Sequence, residues 1–202
     1  TNNGIHIAGM DIEYLGHIRH AGLRQNFQLL WERHELNLGA QTMISDVKSA
    51  EWWRWNNREK EQRKGWNNSA WVNRQFSPIR QLTASAGLHL TAFSALGGPY
   101  YYDIDEQGNI TWIYKRRKNL PVKTHVTMEP RLSLAWQPLE WMSIKAGYSR
   151  TSQNIHALRN QNTTTPFDRY AISSNLVKPE VANQVSLGLF MMTPSQAYDF
   201  SL

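Results

Sequence analysis

The sequence predicts an all-β protein, an antiparallel up-and-down meander that forms about eight strands of a partial transmembrane β-barrel. Three observations predict this fold. Residue character alternates with a period of two, the connections alternate between short and long, and aromatic residues stand beside the short turns. No stretch approaches the ~18 uninterrupted apolar residues that a membrane-spanning helix requires.

The period of two defines the individual strands. It is clearest in Lys123–Trp136 and Gln81–Thr91, where apolar residues occupy every second position. Weaker alternation predicts six more strands, at Ile5–Ile18, Leu23–Trp31, Leu36–Val47, Trp66–Phe76, Trp141–Gln153 and Val181–Met191. A further strand is expected to begin at Ala197 and run to Leu202.

The connections fall into two classes that would lie at opposite ends of the meander. The short turns are Glu32–His34, Ser77–Ile79, Gln137–Glu140 and Thr193–Gln196. The long loops are Lys48–Gly65, Ser94–Val122 and His156–Pro179, and only His17–Gly22 is short at that end. Short periplasmic turns and long extracellular loops are typical of outer-membrane barrels.

Four aromatic residues mark one level of the structure. Trp31, Phe76 and Trp136 each stand immediately before a short turn, and Trp141 stands immediately after one. Aromatic girdles of this kind lie at the membrane interface of barrels, so these four residues are predicted to be membrane-interface aromatics. The alternative is that they are core aromatics of a soluble β-sandwich.

Composition excludes several classes of site. The chain has no Cys, which removes disulfides, Cys-ligated zinc, iron–sulfur clusters and thiol nucleophiles. The net charge of +6 is spread over both signs, and no nucleic-acid motif is present, so a nucleic-acid partner is not expected. His89 and His125 fall on polar strand faces, where lining a lumen is the expected role. No catalytic motif is found, which predicts no enzymatic activity, no cofactor and no metal site.

Several stretches resemble one family, the TonB-dependent outer-membrane receptors in the form common among Bacteroidetes. These are Glu129–Leu134, Ile144–Gln153, Pro166–Tyr170 and Lys178–Gly188. The order and spacing of the four stretches also match. Between Gly22 and Phe93 the resemblance is looser and rests on strand spacing and Leu36–Gly39.

The resemblance implies transport rather than catalysis. It implies an outer-membrane receptor that takes up a scarce nutrient, such as an iron chelate, cobalamin, an oligosaccharide or a peptide, with TonB-coupled energy. Residues 1–202 would be one middle segment of its barrel, without the plug domain and the closing strands. The implied partners are outer-membrane lipid, lipopolysaccharide, the TonB complex through the missing plug, and a surface lipoprotein.

The long loops combine aromatic and basic residues, which can grip sugars, aromatic chelators or anions. The candidate ligand contacts are Trp52, Trp53, Trp55, Tyr100, Tyr101, Tyr102, Arg116 and Arg117. An equally weighted interpretation is that the basic loops contact lipopolysaccharide phosphates. At the level of the whole chain, the alternative function is a soluble β-sandwich module that binds carbohydrate through surface Trp and Tyr.

Overall fold

The computed structural model describes residues 3–7, 10–14, 17–48, 62–158, 169–192 and 199–201. Eight strands form one sheet, and every neighbouring pair is antiparallel. In their order across the sheet they are β14 Asp199–Ser201, β13 Glu180–Met192, β10 Met142–Gln153, β9 Pro121–Leu139, β6 Leu82–Leu96, β5 Gln62–Ile79, β4 His34–Lys48 and β3 His17–Trp31. This arrangement confirms the predicted all-β meander.

Three separate hairpins account for the other described strands. They are β1 Asn3–Ile7 with β2 Met10–Tyr14, β7 Tyr100–Ile104 with β8 Ile110–Lys115, and β11 Ile155–Leu158 with β12 Arg169–Ile172. The last two hairpins belong to the long connections between β6 and β9 and between β10 and β13. Within the part described, no helix is long and apolar enough to cross a membrane.

The two faces of the sheet differ in chemistry. One cavity of about 830 Å³ is lined by residues of seven strands, β3, β4, β5, β6, β9, β10 and β13, so the sheet curls around it. We call this concave side the lumen face; its side chains include Asn37, Ser69, Ser85, Ser133, Ser149 and Gln184. The opposite side, the outer face, presents apolar residues to the surroundings, with Leu23, Val126 and Val185 each more than 70% exposed.

The short turns are staggered along the sheet. His34, the first residue of β4, pairs with Phe76, which pairs with Ala84, which pairs with Leu134. Phe76 lies three residues before the end of β5, whereas Leu134 lies five residues before the end of β9. Each hairpin therefore extends beyond the previous one, as strands tilted by ~35–45° in a barrel require.

The amino-terminal strands differ from the prediction. Ile5–Ile18 is not one strand, because β1 and β2 form a hairpin with Ile7 opposite Met10. The apolar residues of this stretch change phase, from Ile5 and Ile7 at odd positions to Met10 and Ile12 at even ones, and a prediction of one continuous strand overlooks that change. His17–Gly22 is not a loop either, since His17–Trp31 pairs with β4 along its whole length. His17 and Arg19 lie near the long-loop rim, where a strand no longer needs apolar residues.

Two short turns lie later in the chain than expected. β5 continues through Ser77–Ile79, and β9 continues through Pro138 to Leu139. The residues between strands are Arg80–Gln81 and Glu140–Trp141. Register shifts lie between Phe76 and Ile79 and between Met142 and Ile144, so Pro78 lies in a bulge and Pro138 near one. The predicted turn at 193–196 lies outside the described residues, and β14 forms part of the expected last strand.

Candidate functional site

The lumen face carries a row of contacts centred on Trp71. This indole lies over Gly39 on the neighbouring strand, where an added Cβ would come within 2.8 Å of its Cε2 atom. The Arg24 guanidinium lies 4.8 Å from the ring centroid, and Nε1 donates a hydrogen bond of 3.2 Å to Asn26 Oδ1. Gly39 thus allows a large aromatic side chain to lie flat against the wall of the lumen.

A nearly buried carboxylate extends this row. Glu129 is 5% exposed and pairs across the ladder with His89, whose Nδ1 donates to Oε2 at 3.1 Å. Ser152 donates to Oε1 at 2.5 Å, and Arg131 lies 3.6 Å from Oε2. The ring of His89 also meets Trp71 edge-on, at 5.8 Å between centroids. His89 therefore lies on the lumen face as predicted, whereas the sequence did not single out Glu129 as its partner.

The β11–β12 hairpin folds towards the lumen at the long-loop end. Ile172 of β12 packs with Val47 and Phe93, all three 2% exposed, in a buried apolar cluster. Nε2 of His125 donates to the Ser174 carbonyl at 2.7 Å. The hairpin follows β10 in the chain and contacts β4 and β5 across the sheet. The hairpin therefore narrows the lumen at the long-loop end, which we call the mouth.

The β7–β8 hairpin stands at the same end and is built from cross-strand pairs that include a tyrosine ring. Tyr100 opposes Lys115, whose Nζ lies 4.9 Å from the ring centroid. Tyr101 stacks on Tyr114 at 6.1 Å. Burial raises the pKa of the Tyr114 phenol, with a smaller contribution from the negative charge of Asp103. These pairs stabilise the hairpin from within. Arg63 of β5, 4.9 Å from the Tyr101 ring centroid, and Asn175, which donates to the Tyr102 carbonyl at 2.6 Å, hold it against the rest of the structure.

The candidate ligand contacts do not share one environment. Tyr100, Arg116 and Arg117 are exposed, and Tyr102 is half-buried. Tyr101 differs from the expectation, because it is only 1% exposed and its hydroxyl donates to the Leu96 carbonyl at 2.9 Å. Trp52, Trp53 and Trp55 lie outside the described residues. Trp112, which the sequence placed in this loop but not among the contacts, is 66% exposed.

Close backbone packing at Gly97 fixes the position of the basic pair Arg116 and Arg117. Gly97 accepts a hydrogen bond from Asn119 N at 3.0 Å and donates to the Leu120 carbonyl at 2.8 Å. A Cβ on Gly97 would approach the Arg117 carbonyl oxygen to 2.5 Å. Only glycine accommodates this approach, so it fixes the backbone of Arg116 and Arg117 beside the base of the hairpin.

The hairpin tip depends on one aspartate. Asp105 accepts hydrogen bonds from the backbone N–H of Asn109 at 2.7 Å and from its side chain at 3.1 Å, and Gly108 has a φ of 86°. The Asn109 side chain is the main cause of the lowered pKa of Asp105. The charged carboxylate of Asp105 therefore stabilises the folded tip fully above pH 3.8, the ordinary pKa of an aspartate. This stabilisation is lost as the pH falls through the lowered pKa of the folded state.

We expect Asp105→Ala to loosen this tip. The Asn109 donors would lose their acceptor, so amides of residues 105–109 should exchange several-fold faster with solvent. Hydrogen–deuterium exchange mass spectrometry of the receptor at pH 7 measures this. Glu106→Ala removes the same charge one position later and should leave exchange unchanged; equal effects of the two substitutions would contradict the role of Asp105.

The four interface aromatics lie at the short-turn rim. Trp31, Phe76 and Trp136 are on the outer face, 43%, 38% and 45% exposed, and Trp141 is in the turn between β9 and β10. Their role at a membrane boundary stays a prediction. Among the described residues, no group of three or more His, Asp or Glu side chains is placed to hold a metal ion.

The fold is similar to two solved structures of the FrpB iron transporter from Neisseria meningitidis, the F3-3 and F5-1 variants. Each has a TM-score of 0.57, with 14% and 13% identity, and each alignment covers 92% of this chain. The chain spans 27% and 28% of the length of those transporters. No curated protein sequence matches it.

The sequence model of the family described as TonB dependent receptor-like, beta-barrel matches residues 13–201. This match covers nearly the whole chain and includes every strand of the main sheet. The family consists of receptors and transporters of the Gram-negative outer membrane rather than enzymes. The chain belongs to the TonB-dependent receptor β-barrel family.

Proposed function

We propose that this chain forms a middle segment of the barrel of a Bacteroidetes-type receptor that takes up a scarce nutrient with TonB-coupled energy. The observation that carries the proposal is the polar cavity of about 830 Å³ lined by seven strands whose other face is apolar. Strands β3 and β14 each have one unpaired edge among the described residues. Since membrane barrels must close, further strands of the receptor would pair there.

The mouth favours an anionic or aromatic-rich nutrient complex. Tyr100 is exposed opposite Lys115 in the β7–β8 hairpin, and Arg116 and Arg117, the next two residues of the chain, are exposed as well. We assign ligand contact to these residues, to Tyr102, and to Trp52, Trp53 and Trp55, with Tyr101 supporting the hairpin from within. The FrpB structures are named iron transporters, which supports an iron chelate ahead of cobalamin, an oligosaccharide or a peptide.

The partners follow from the same arrangement. TonB would act through a plug domain inside the lumen, where Arg24, Trp71 and Arg131 offer contacts. A surface lipoprotein would dock on the exposed hairpin, on which Trp112 and Ile113 are 66% and 56% exposed. Lipopolysaccharide phosphates are the competing partner for the basic loop.

The soluble carbohydrate-binding sandwich is not favoured. A sandwich buries the apolar face of each sheet against a second sheet. Here the apolar outer face has no covering layer among the described residues, and Leu23 and Leu187 are each 78% exposed. The family match also points away from a soluble module.

The basic pair provides the test of the ligand mouth. In the full receptor, Arg116→Ala with Arg117→Ala should lower affinity for a bound anion by about a hundredfold or more, because two charge-assisted hydrogen bonds of ~1.5–3 kcal/mol each would be lost. Binding of ferric citrate, cobalamin and maltoheptaose to outer-membrane vesicles measures this. Arg80→Ala with Arg33→Ala is the matched control, because these exposed arginines lie at the opposite rim.

Two outcomes would show that Arg116 and Arg117 do not contact the nutrient. If every probe that the wild type binds is retained by the double variant, the loop does not contact the ligand. If lipopolysaccharide is lost from the purified variant instead, the basic loop contacts lipopolysaccharide and not the nutrient.

A further inference from the structure

The outer face contains a groove that the transport function does not use. Its volume is about 890 Å³, and it crosses β5, β6, β9, β10 and β13. The outward side chains that line it are mainly apolar: Phe76, Ala84, Ala86, Leu132, Leu134, Ala146, Tyr148, Val185 and Leu187, with Arg74 at one end.

Register explains why a groove forms there. One row across the sheet contains Phe76, Ala84, Leu134, Ala146 and Leu187, and the next contains Arg74, Ala86, Leu132, Tyr148 and Val185. The small side chains of Ala84, Ala86 and Ala146 leave a depression between their larger neighbours. The groove spans four inter-strand spacings, about 19 Å, which is comparable to an extended acyl chain.

Arg74 supplies a fixed positive charge at the β5 end. It donates a hydrogen bond of 3.2 Å to Nδ1 of His34, whose ring stacks on Phe76 at 4.5 Å with an interplanar angle of 7°. His34 is the first residue after the β3–β4 turn, so the guanidinium reaches towards the short-turn rim. Among the described residues, no carboxylate forms a salt bridge with Arg74.

An arginine without a counter-charge on the outer face destabilises the folded barrel. An outward cation in a membrane barrel is destabilising by ~2–4 kcal/mol at the midplane and by ~0–1 kcal/mol near the interface. An anion bound at its guanidinium would offset that cost, and Arg is well suited to phosphate because its planar fork can donate two parallel hydrogen bonds.

We propose that this groove binds one anionic phospholipid of the periplasmic leaflet. Its phosphate contacts Arg74, and one acyl chain lies in the groove towards β13. The short-turn rim is the periplasmic side of such barrels, which favours a phospholipid over lipopolysaccharide. Because no described carboxylate forms a salt bridge with Arg74, none is placed there to hold an ammonium group, and the site selects a net anionic headgroup over a zwitterionic one. The inference rests on the membrane placement of the family and not on the nutrient.

The experiment uses the full receptor purified in detergent and mixed with equal amounts of dioleoyl phosphatidylglycerol and dioleoyl phosphatidylcholine. Native mass spectrometry should show several-fold more phosphatidylglycerol than phosphatidylcholine on the wild type. Arg74→Gln should abolish this preference, and Arg74→Lys should keep part of it. Arg19→Gln, the same change on the outer face near the opposite rim, should leave the preference intact. Ala86→Phe, which fills the groove, should lower retention of both lipids.

The wild type alone can overturn the proposal. Equal retention of the two phospholipids, or retention of lipopolysaccharide only, would show that the groove has no anionic phospholipid site even if a variant fails to fold. Undiminished preference in folded Arg74→Gln would overturn it as well. Loss of nutrient binding in the mouth variants has no bearing on this measurement, so the two proposals fail separately.

Discussion

Replacing Val185 by arginine is expected to destabilise the folded receptor by ~2–4 kcal/mol, whereas the same replacement at the adjacent Gln184 should change stability by no more than ~0.5 kcal/mol. Val185 is 79% exposed on the outer face, and Gln184 lines the lumen cavity. In a membrane, the first substitution places a cation in hydrocarbon, while the second places it in a polar cavity. Urea unfolding in phospholipid vesicles, followed by tryptophan fluorescence, measures both.

This pair of substitutions also separates the barrel from a soluble sheet. Both side chains are exposed in the isolated chain, so a soluble protein would tolerate arginine at either position. A large cost at Val185 with little cost at Gln184 is therefore specific to a lipid-facing outer surface. Equal costs at the two positions would contradict the assignment of the faces.

The strands could be predicted because the membrane imposes a simple rule on their sequence. Lumen and lipid lie on opposite sides, so polar and apolar residues must alternate wherever the strand is inside the hydrocarbon layer. Leu132, Ser133 and Leu134 show this rule and lie where the alternation places them. Near the rims the rule no longer applies, which is why the strand at His17–Gly22 was predicted to be a loop.

The turns were displaced for a related reason. Proline lacks an N–H, so Pro78 and Pro138 were predicted to lie in turns. The ladder instead continues past them through bulges, and Gln137 N still donates to the Gln81 carbonyl at 2.7 Å. A sequence pattern that treats proline as the end of a strand cannot detect a bulge that leaves its nitrogen unpaired.

The site was less predictable because its contacts join distant parts of the chain. His89 and Glu129 are 40 residues apart, and His125 and Ser174 are 49 residues apart. Their pairing depends on the register of β6 with β9 and on where the β11–β12 hairpin folds. Alternation could place His89 and His125 on the lumen face, but it carries no information on their partners.

Gly65→Ala is expected to open the mouth of the lumen and to cost ~1–3 kcal/mol, as overpacking of a filled core does. A Cβ at position 65 would come within 2.6 Å of the Phe93 ring, which is 2% exposed and packed against Val47 and Ile172. The ring has no free space to enter, so it would displace Ile172 and with it the β11–β12 hairpin. Limited proteolysis of that hairpin and urea unfolding measure the two effects.

Gly87→Ala is the matched control for this change, because it adds the same methyl group on the same lumen face. There the Cβ would meet Oδ1 of Asn73 at 2.7 Å, and that amide can rotate away into the cavity. The Val72 carbonyl oxygen, at 3.3 Å, would need to shift by only a few tenths of an ångström. Stability and protease resistance should therefore stay close to those of the wild type. If Gly65→Ala behaved like this control, Phe93 would be free to move, and the apolar cluster would not be what holds the hairpin over the lumen.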